Sequence, residues 1–563
     1  MKANDTQIRV FLEGSKQFIV PLFQREYVWG KGHIERLWLD IQETETEYYK
    51  KKHHFFGSFV TMPTPGSAST VSEFTVVDGQ QRLTTIYIIL ATLRDRIKEL
   101  DPENPTITEI EALYLMNPHR PDHKLKLIPT QNDRNIFYKI IEGNDIKESN
   151  NLIFESYKFF KEIFANIDEI SRLDLIKGTI LSNFSIVDIY LEENDDPYLI
   201  FETLNGTGEP LTQADLVRNY LFMKLNPKNQ REIYDNIWLP LQIFIEGDKE
   251  VETKKRKDKR MDNFIRHYLA MDGDLPTFNG LYITLKELVD KTTMGQEGVI
   301  KIMGRLHRFS EYYSKFLYPK NEKENELRIY FDKFDRLNST TAYPLLLKLY
   351  DNYRDPKVEF FIEDFIDCLH AIETFVVRRA VCGINVSALN KYFPRICTSL
   401  DESNIAQSLK ETLMNSTGNQ RMPDRKEFRI CLKDGNSPRQ VNRYILEEIE
   451  KYPDNKEIVK LNEMQLEHIM PQTLNKQWKK DLGDDWESIH SKYLESIGNL
   501  TLTGYNQEYS NKTFNEKRDM KNGFKQSGLK LNRHLSKQKE WNEKQIKERS
   551  NELAKTALKI WNF

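Results

Sequence analysis

The stretch Leu466-Glu467-His468-Ile469-Met470-Pro471 lies near the end of the 563-residue chain and is followed about thirty residues later by Ile497-Gly498-Asn499-Leu500-Thr501-Leu502. We predict a strand over residues 464–468, a loop, a short strand over residues 499–503 and a helix from about Asn511. A carboxylate beside a histidine, followed by spaced asparagines, suits a site that holds one hard metal ion and activates one water against a phosphodiester. The pattern therefore predicts a nuclease site.

Two adjacent residues supply the chemistry of this predicted site. His468 is expected to take the proton from the attacking water, because an imidazole titrates near neutral pH. Glu467 offers hard oxygen ligands to Mg²⁺ or Mn²⁺. Asn499 is expected to orient either the His468 ring or the loop. A Glu-His pair alone is a weak signal, because a histidine in a strand is more often structural.

The residues after the second strand complete the prediction. Either Asn506 or Asn511 is expected to finish the metal shell through an amide oxygen, and the sequence leaves this choice open. Lys517 and Arg518 are predicted to neutralise phosphate charge. Residues 501–563 carry 14 Lys/Arg against 7 Asp/Glu, although the net charge of the whole chain is −3. A basic end suits a polyanion, and a solvated helical face would look the same.

Composition indicates a folded, mostly helical protein of two to four domains. The chain is too long for one hydrophobic core, and 39% of its residues are hydrophobic and 30% charged. The longest mostly apolar run, residues 86–93, is too short to cross a bilayer, and residues 1–10 lack the pattern of a signal peptide. We therefore expect a cytoplasmic protein without a membrane partner.

The four cysteines do not form a recognisable motif. Cys368, Cys382, Cys397 and Cys431 are scattered without any C-x-x-C spacing. This spacing argues against a structural zinc and against a disulfide framework. We expect reduced, partly buried thiols.

A second signature, Val77-Asp78-Gly79-Gln80-Gln81-Arg82, lies near the start of the chain. Strands are predicted over residues 18–21, 55–62 and 74–77, a helix over about residues 33–49, and a long helix directly after Asp78-Gly79. A strand, a tight turn and a helix N-terminus present backbone N–H groups to an anion, and Arg82 adds a fork for phosphate. Gln80 and Gln81 supply neutral donors and acceptors. Taken alone, the signature is more often an ordinary turn with Arg82 as a surface charge, and the chain has no G-x-x-x-x-G-K-[ST] motif.

A third motif occupies residues 200–220. Asn205-Gly206-Thr207-Gly208 permits positive φ and close backbone approach, and Thr212 with Asp215 predicts a capping box for the next helix. By itself, such a loop is more often a turn between helices.

Three motifs in order resemble the DGQQR-motif domain of the GmrSD-type restriction endonucleases. They are Gln24-Arg25 with Tyr27 and Trp29, residues 78–85, and residues 201–216. The resemblance implies a ParB/sulfiredoxin-like fold that binds and hydrolyses a nucleoside triphosphate and couples this to DNA cleavage. It implies catalytic roles for Asp78, Gln81 and Arg82. The implied nucleotide-binding residues are Gln24, Arg25, Asp78, Gly79, Gln80, Gln81, Arg82, Thr84, Asn205 and Asp215.

The end of the chain resembles the HNH domain of the same enzymes. The series that carries the resemblance is Glu467-His468-Ile469-x-Pro471-Gln472, Gly498-Asn499-Leu500-Thr501-Leu502, Asn506, Ser510-Asn511-Lys512-x-Phe514-x-x-Lys517-Arg518, Trp541 and Arg549. It implies a ββα-metal fold in which two strands and a helix converge on one ion. HNH sites commonly close with a histidine, whereas this chain offers asparagines at that place.

Between these two regions the pattern is helical. Helical spacing of apolar residues predicts helices over residues 263–270, 299–318, 360–381 and 405–414. The basic run at residues 254–260 could contact a nucleic acid backbone or form an exposed loop. Arg378-Arg379 are ambiguous between phosphate contacts and internal ion pairs. We predict a nucleotide-binding domain over residues 1–225, a helical connecting domain over 226–423 and a nuclease domain over 424–563.

The combined expectation is a predominantly helical α+β protein that acts as a nucleotide-regulated, metal-dependent DNA endonuclease in anti-phage restriction. Its expected target is DNA with modified bases or backbone. One such site cleaves one strand, so a double-strand break needs a homodimer or two events. Two alternatives remain open. The chain could be an NTPase whose HNH fold only grips or nicks DNA, or a DNA-binding regulator without enzymatic activity.

Overall fold

The computed structural model describes residues 1–45, 53–64, 71–146, 148–192, 195, 211–247, 254–292, 295–434, 437–453 and 461–563. These residues divide into two compact units, Met1–Leu239 with Leu285–Met303 and Pro240–Thr284 with Gly304–Phe563. The chain is predominantly helical and has a mixed sheet in its N-terminal unit, so the predicted α+β class is confirmed. The division into domains at residues 225 and 423 stays a prediction.

The N-terminal unit contains a six-stranded mixed sheet. Its strands are β1 (Lys2–Gln7), β2 (Lys16–Ile19), β3 (His54–Pro63), β4 (Ser72–Asp78), β5 (Leu127–Ile128) and β6 (Phe184–Tyr190). The order in the sheet is β1-β6-β3-β4-β2-β5, with β6–β3, β4–β2 and β2–β5 parallel and the other pairs antiparallel. The predicted strands at residues 18–21, 55–62 and 74–77 correspond to β2, β3 and β4.

The long helix after the sheet's β4 strand is the centre of this unit. Helix Gln80–Leu100 begins at Gly79, whose φ of 94° suits glycine, and a Cβ there would lie 2.8 Å from the Phe59 ring. Its residues 83–93 are buried throughout, so it packs on all sides. The other helices of this region are Ile8–Leu12, Lys31–Glu45, Pro105–Ile110, Gln131–Ile141, Leu152–Ala165, Ile170–Gly178, Gln213–Met223 and Pro227–Ile233.

The remainder of the chain is built of helices and one pair of strands. The helices up to the predicted nuclease region are Leu239–Glu246, Lys254–Ala270, Leu281–Thr292, Gly295–Leu317, Asn325–Arg336, Tyr343–Arg354, Ile362–Val381, Leu389–Ser399 and Ile405–Met414. The four helices predicted here are confirmed, with bounds that agree within a few residues apart from an earlier start at Lys254. No helix among the described residues is both long and apolar enough to cross a membrane.

The last part of the chain holds an antiparallel pair, β7 (Gln465–His468) and β8 (Leu500–Thr503). Its helices are Arg425–Asp434, Arg439–Lys451, Lys476–Leu482, Trp486–Tyr493, Asn506–Tyr509, Phe514–Asp519, Lys530–Lys537 and Glu543–Ile560. Helix Glu543–Ile560 packs closely at Gly498, where a Cβ would lie 2.2 Å from Ser550 Oγ. The buried Arg549 donates to the carbonyl oxygens of Gly498 (2.8 Å) and Leu500 (2.6 Å), which fixes the start of β8.

Candidate active site

Four of the residues predicted for DNA cleavage, Glu467, His468, Asn506 and Asn511, line one open cleft of about 530 Å³. Strand β7 ends at His468, and the segment after β8 returns Asn506 and Asn511 to the same cleft. The structure therefore brings together residues more than 40 positions apart in the chain. The lining residues are Arg439, Leu466, Glu467, His468, Pro471, Gln472, Thr473, Asn506, Ser510 and Asn511.

His468 is the last residue of β7 and pairs with Leu500. Its side chain is largely buried, and its Nε2 lies 3.0 Å from a carboxylate oxygen of Glu495. Burial lowers the pKa of His468 below its ordinary value, and the negative charge of Glu495 partly opposes this shift. The ring is therefore neutral at neutral pH, as a general base must be.

Glu467 forms a buried ion pair. Its carboxylate accepts a hydrogen bond of 2.6 Å from Lys517 Nζ, which also donates to the carbonyl oxygens of His468 (2.8 Å) and Ile469 (3.2 Å). Burial raises the pKa of Glu467, and the Lys517 charge counteracts this. Lys517 is fully buried, so the prediction that it neutralises phosphate charge is wrong. It instead holds Glu467 and the end of β7 in place.

Arg518 is also engaged within the protein. Its guanidinium pairs with Asp519 at 2.6 Å and donates to the carbonyl oxygen of Gln538 at 2.6 Å. A lysine and an arginine adjacent in sequence in helix Phe514–Asp519 point in different directions, because neighbouring helical positions do not share a face. The predicted pair of phosphate contacts is therefore not formed.

Asn499 lies under the loop that follows His468. It is fully buried; its Oδ1 accepts from Met470 N (2.8 Å) and Trp541 Nε1 (3.2 Å), and its Nδ2 donates to Met470 O (3.0 Å). Of the two roles left open by the sequence, this geometry corresponds to orienting the loop. The predicted catalytic role of Asn499 stays a prediction. In this geometry Asn499 could influence catalysis only by positioning the loop at Met470.

Asn506 and Asn511 both reach the cleft, so the choice between them as metal ligand stays open. Asn506 Nδ2 donates to Gln465 Oε1 at 3.3 Å, and its amide oxygen is the atom that suits a cation. Asn511 is exposed, and its backbone carbonyl accepts from Asn475 at 2.9 Å.

The sequence prediction missed Glu495, the partner of His468, and Arg439, which lines the cleft. Glu495 lies four residues before Asn499, and an acidic residue beside the Gly498-Asn499 motif was a usable signal. Arg439 lies 28 residues before Glu467, at the start of helix Arg439–Lys451, and nothing in the motif spacing indicated it. Its side chain is exposed and lines the cleft.

The Asp78-Gly79-Gln80-Gln81-Arg82 motif lies where β4 passes into helix Gln80–Leu100. Arg82 donates to Asp78 at 3.3 Å and to the carbonyl oxygen of Phe56 at 3.2 Å, and its guanidinium lies 5.4 Å from the centre of the Phe59 ring. Burial raises the pKa of Asp78, and the charges of Arg82 and Arg25 counteract this. The predicted neighbours Arg25, Asp78 and Arg82 are thus close in space.

The glutamines of this region hold backbone segments together. Gln24 Nε2 donates to the carbonyl oxygens of Val76 (2.8 Å) and Val77 (3.1 Å). Gln81 accepts from Val28 N at 2.7 Å and donates to Glu26 O at 3.1 Å. These bonds bring the Gln24-Arg25 motif against the turn at Asp78. Gln80 and Thr84 are buried in the same helix.

The third motif is described only from Leu211 onward, and Asn205 lies outside the described residues. Thr212 and Asp215 form the predicted capping box of helix Gln213–Met223. Asp215 also pairs with Arg218 at 2.6 Å, and Arg218 donates to the carbonyl oxygen of Phe23. The structure thereby connects Asp215 to the segment that carries Gln24.

The two ambiguous basic segments of the central region have different outcomes. Arg378 donates to the carbonyl oxygens of Trp561 (2.8 Å) and Pro423 (3.3 Å), and Arg379 to those of Arg421 (2.7 Å) and Asn419 (2.9 Å). Both are buried and bind backbone carbonyls, so neither predicted role is formed. Residues 254–260 begin helix Lys254–Ala270, and their contact with DNA stays a prediction.

Comparison with known families places the chain among the restriction endonucleases. The family described as GmrSD restriction endonuclease, N-terminal domain, matches residues 8–222, and the GmrSD restriction endonuclease C-terminal domain matches residues 422–556. The chain belongs to the GmrSD restriction endonuclease family, which confirms the resemblance found in the sequence. It is therefore a nuclease with DNA as its partner. No curated protein matches the chain.

Proposed function

We propose that the cleft at Glu467-His468 is the cutting centre of an HNH-type, metal-dependent DNA endonuclease. The observation that carries this proposal is that Glu467, His468, Asn506 and Asn511 line one cleft. The order of β7, β8 and helix Phe514–Asp519 supports the ββα arrangement, because Lys517 of that helix reaches back to Glu467 and His468. Strands and helix thus converge on the same few atoms.

The donor atoms around the cleft fit a hard divalent cation. A carboxylate from Glu467 and an amide oxygen from Asn506 or Asn511 are the ligands that Mg²⁺ and Mn²⁺ accept. When bound, such an ion would stabilise negative charge that develops on the phosphate. Lys517 keeps the Glu467 carboxylate ionised and fixed in direction, since it donates to that carboxylate from the buried side.

The pair His468–Glu495 defines which nitrogen acts as the base. Because a carboxylate binds Nε2 at 3.0 Å, the proton of the neutral ring resides on Nε2 and Nδ1 keeps its lone pair. Nδ1 would take the proton from the attacking water, and Glu495 would stabilise the imidazolium that forms. Glu495 is therefore a positioning residue in this proposal.

Arg439 replaces Lys517 and Arg518 as the proposed phosphate contact. It is an exposed arginine on the cleft wall, and its guanidinium can bind two oxygens of a phosphodiester at once. Its positive charge also contributes to the low pKa of His468 after the larger effect of burial. The proposal thus assigns DNA binding and base activation to one wall of the cleft.

Arg439→Ala is expected to weaken DNA binding and to reduce the salt slope of log K by about 1, because one phosphate contact is lost. Fluorescence anisotropy with a labelled duplex at several salt concentrations measures both. Arg443→Ala is the matched control, since Arg443 lies one turn later on the same helix and pairs with Glu447 at 2.7 Å. Equal salt slopes for Arg439→Ala and Arg443→Ala would contradict the assignment.

We further propose that the N-terminal unit is a ParB/sulfiredoxin-like domain that binds and hydrolyses a nucleoside triphosphate. Gly79, the N-cap of helix Gln80–Leu100, has no side chain to cap the first N–H groups of the helix, which suits the binding of phosphate oxygens there. Gln24 Oε1 is buried and accepts no hydrogen bond among the described residues, which suits a donor group on a ligand. Arg25 and Arg82, beside Asp78, supply positive charge at the same turn.

Asp78→Asn is expected to lower triphosphate turnover at least about tenfold, because the carboxylate that accepts from Arg82 and organises the turn is lost. Phosphate release from ATP and GTP measures the rate. His468→Ala serves as the control and should hydrolyse at the parental rate, since His468 belongs to the other site. Unchanged turnover in Asp78→Asn would refute the nucleotide assignment.

The biological role proposed for this activity is restriction of foreign DNA that carries modified bases or backbone, with nucleotide hydrolysis regulating the cut. A homodimer would supply the second site that a double-strand break requires. Plating efficiencies of phages with modified and unmodified genomes, on cells that carry the parent or His468→Ala protein, test this role. Equal plating of all phages on both strains would contradict it.

A further inference from the structure

Three potential metal ligands converge in the unit formed by Pro240–Thr284 and Gly304–Phe563, although its cysteines form no C-x-x-C motif. Cys382 Sγ, Cys431 Sγ and a carboxylate oxygen of Glu427 all lie within 4.8 Å of one another. The sequence spacing argues against a zinc site, because Cys382 and Cys431 are almost 50 residues apart. The fold supplies the proximity that the spacing does not show.

Two helices present these groups to each other. Cys382 is the residue that ends helix Ile362–Val381, and its N–H donates to Arg378 O at 3.2 Å. Glu427 and Cys431 are four residues apart in helix Arg425–Asp434, so they lie on one face of it. Each group is partly exposed, which leaves a path for an ion from solvent.

Surrounding hydrogen bonds connect the end of the helix before Cys382 to the Glu427 side chain before any ion binds. The buried Arg379, one turn before Cys382, donates to the carbonyl oxygens of Asn419 (2.9 Å) and Arg421 (2.7 Å). Arg421 in turn binds the two oxygens of Glu427 at 2.6 and 2.7 Å. The end of one helix, the loop before the next and the Glu427 side chain are therefore connected in one network, as metal sites require.

We propose that Cys382, Glu427 and Cys431 bind a divalent cation of the zinc type, with water in the fourth position. Two thiolates and one carboxylate form a donor set for Zn²⁺ and a poor one for Mg²⁺, so this site is distinct from the cleft at His468. Arg421 stays on the outer oxygen of Glu427 and orients that carboxylate. The ion joins the end of helix Ile362–Val381 to helix Arg425–Asp434.

Burial favours the protonated form of the Cys382 thiol when no ion is present. It raises the pKa of Cys382, and the neighbouring Cys431 sulfur adds to the shift. A protonated thiol is a poor nucleophile, so Cys382 is a weak candidate for redox disulfide formation. A cation of the zinc type displaces both protons as it binds.

Titration of the reduced, chelator-treated full-length protein with Co²⁺ tests the proposal, because a tetrahedral thiolate site gives a near-ultraviolet charge-transfer band and intense visible bands. We expect one equivalent to produce these bands and Zn²⁺ to abolish them. The hard oxygen donors at Glu467 give no thiolate band, so the outcome is independent of the proposed nuclease site. A parent protein without a thiolate band overturns the proposal.

Substitutions locate the site. Cys382→Ser and Cys431→Ser are each expected to lose the charge-transfer band, and Glu427→Gln to bind Co²⁺ at least about tenfold more weakly. Cys397→Ser is the matched control and should keep the band, since the Cys397 thiol is buried and donates to Phe393 O at 3.3 Å. Circular dichroism of each variant verifies folding. Bands that survive in both Cys382→Ser and Cys431→Ser would also overturn the proposal.

Discussion

His468→Ala is expected to reduce DNA cleavage about 10²–10⁴-fold, the usual contribution of a general base. The expectation depends on three properties of the residue: it lines the cleft, its pKa is lowered by burial, and Glu495 fixes its tautomer. DNA binding should change little, because the neutral ring contributes no charge to phosphate contacts. Single-turnover cleavage of supercoiled plasmid in saturating Mg²⁺, with Mn²⁺ in parallel, measures the loss.

A second histidine offers a closely matched control for this experiment. His534 pairs with Glu552 at 3.0 Å, as His468 pairs with Glu495, but it does not line the cleft. His534→Ala should therefore cleave at the parental rate within about twofold, since no reacting group is removed. If His468→Ala cleaves as fast as His534→Ala, the assignment of the base fails.

The pH profile of cleavage reports on the same residue. Cleavage needs the neutral ring, so the rate should fall as the pH drops through the pKa of His468, which lies below the ordinary histidine value. Glu495→Gln removes the charge that opposes this shift, so its acid limb should move to lower pH. A merely structural role for Glu495 would change the amplitude of the profile without moving this limb.

Local sequence patterns predicted much of the secondary structure. Strands β2, β3 and β4 have compact apolar or β-branched segments, and helix Gln80–Leu100 follows a clear turn signal. Strand β1 reads KANDTQ and is mostly exposed, so no apolar pattern identifies it. It exists because it pairs along its whole length with β6, whose paired residues follow more than 175 positions later. A strand that depends on such long-range pairing cannot be predicted from the residues around it.

The candidate site shows the same limit. Glu467 and His468 are adjacent, and the asparagines follow in a recognisable series, so their convergence was predictable. Two further residues join the site only through the fold: Glu495 contacts His468 from the segment before β8, and Arg439 lines the cleft from a separate helix. The sequence shows which helical residues are basic, but it does not show which of them are buried. Lys517 is an example, because its buried ammonium group pairs with Glu467 and does not contact DNA.

Lys517→Met is expected to lower the free energy of unfolding by about 3–5 kcal/mol, the usual cost of breaking a buried ion pair. Methionine fills a similar volume, so the loss arises from the charge and not from a cavity. Glu467, which is 4% exposed, is left in the interior without its cation, and the carbonyl oxygens of His468 and Ile469 lose their donor. Urea denaturation of parent and variant measures the difference.

Adding Glu467→Gln to Lys517→Met separates stability from catalysis. The double variant no longer buries an unpaired charge, so it should recover a large part of the lost stability, and the deviation from additivity measures the coupling of the pair. DNA cleavage should stay low, because the carboxylate proposed to bind the metal is absent. Lys521→Met, at an exposed position two residues after the same helix, is the control and should change stability by less than about 0.5 kcal/mol. A Lys517→Met protein as stable as Lys521→Met would show that the pair does not hold the end of β7, and restored cleavage in the double variant would remove Glu467 from the proposed metal site.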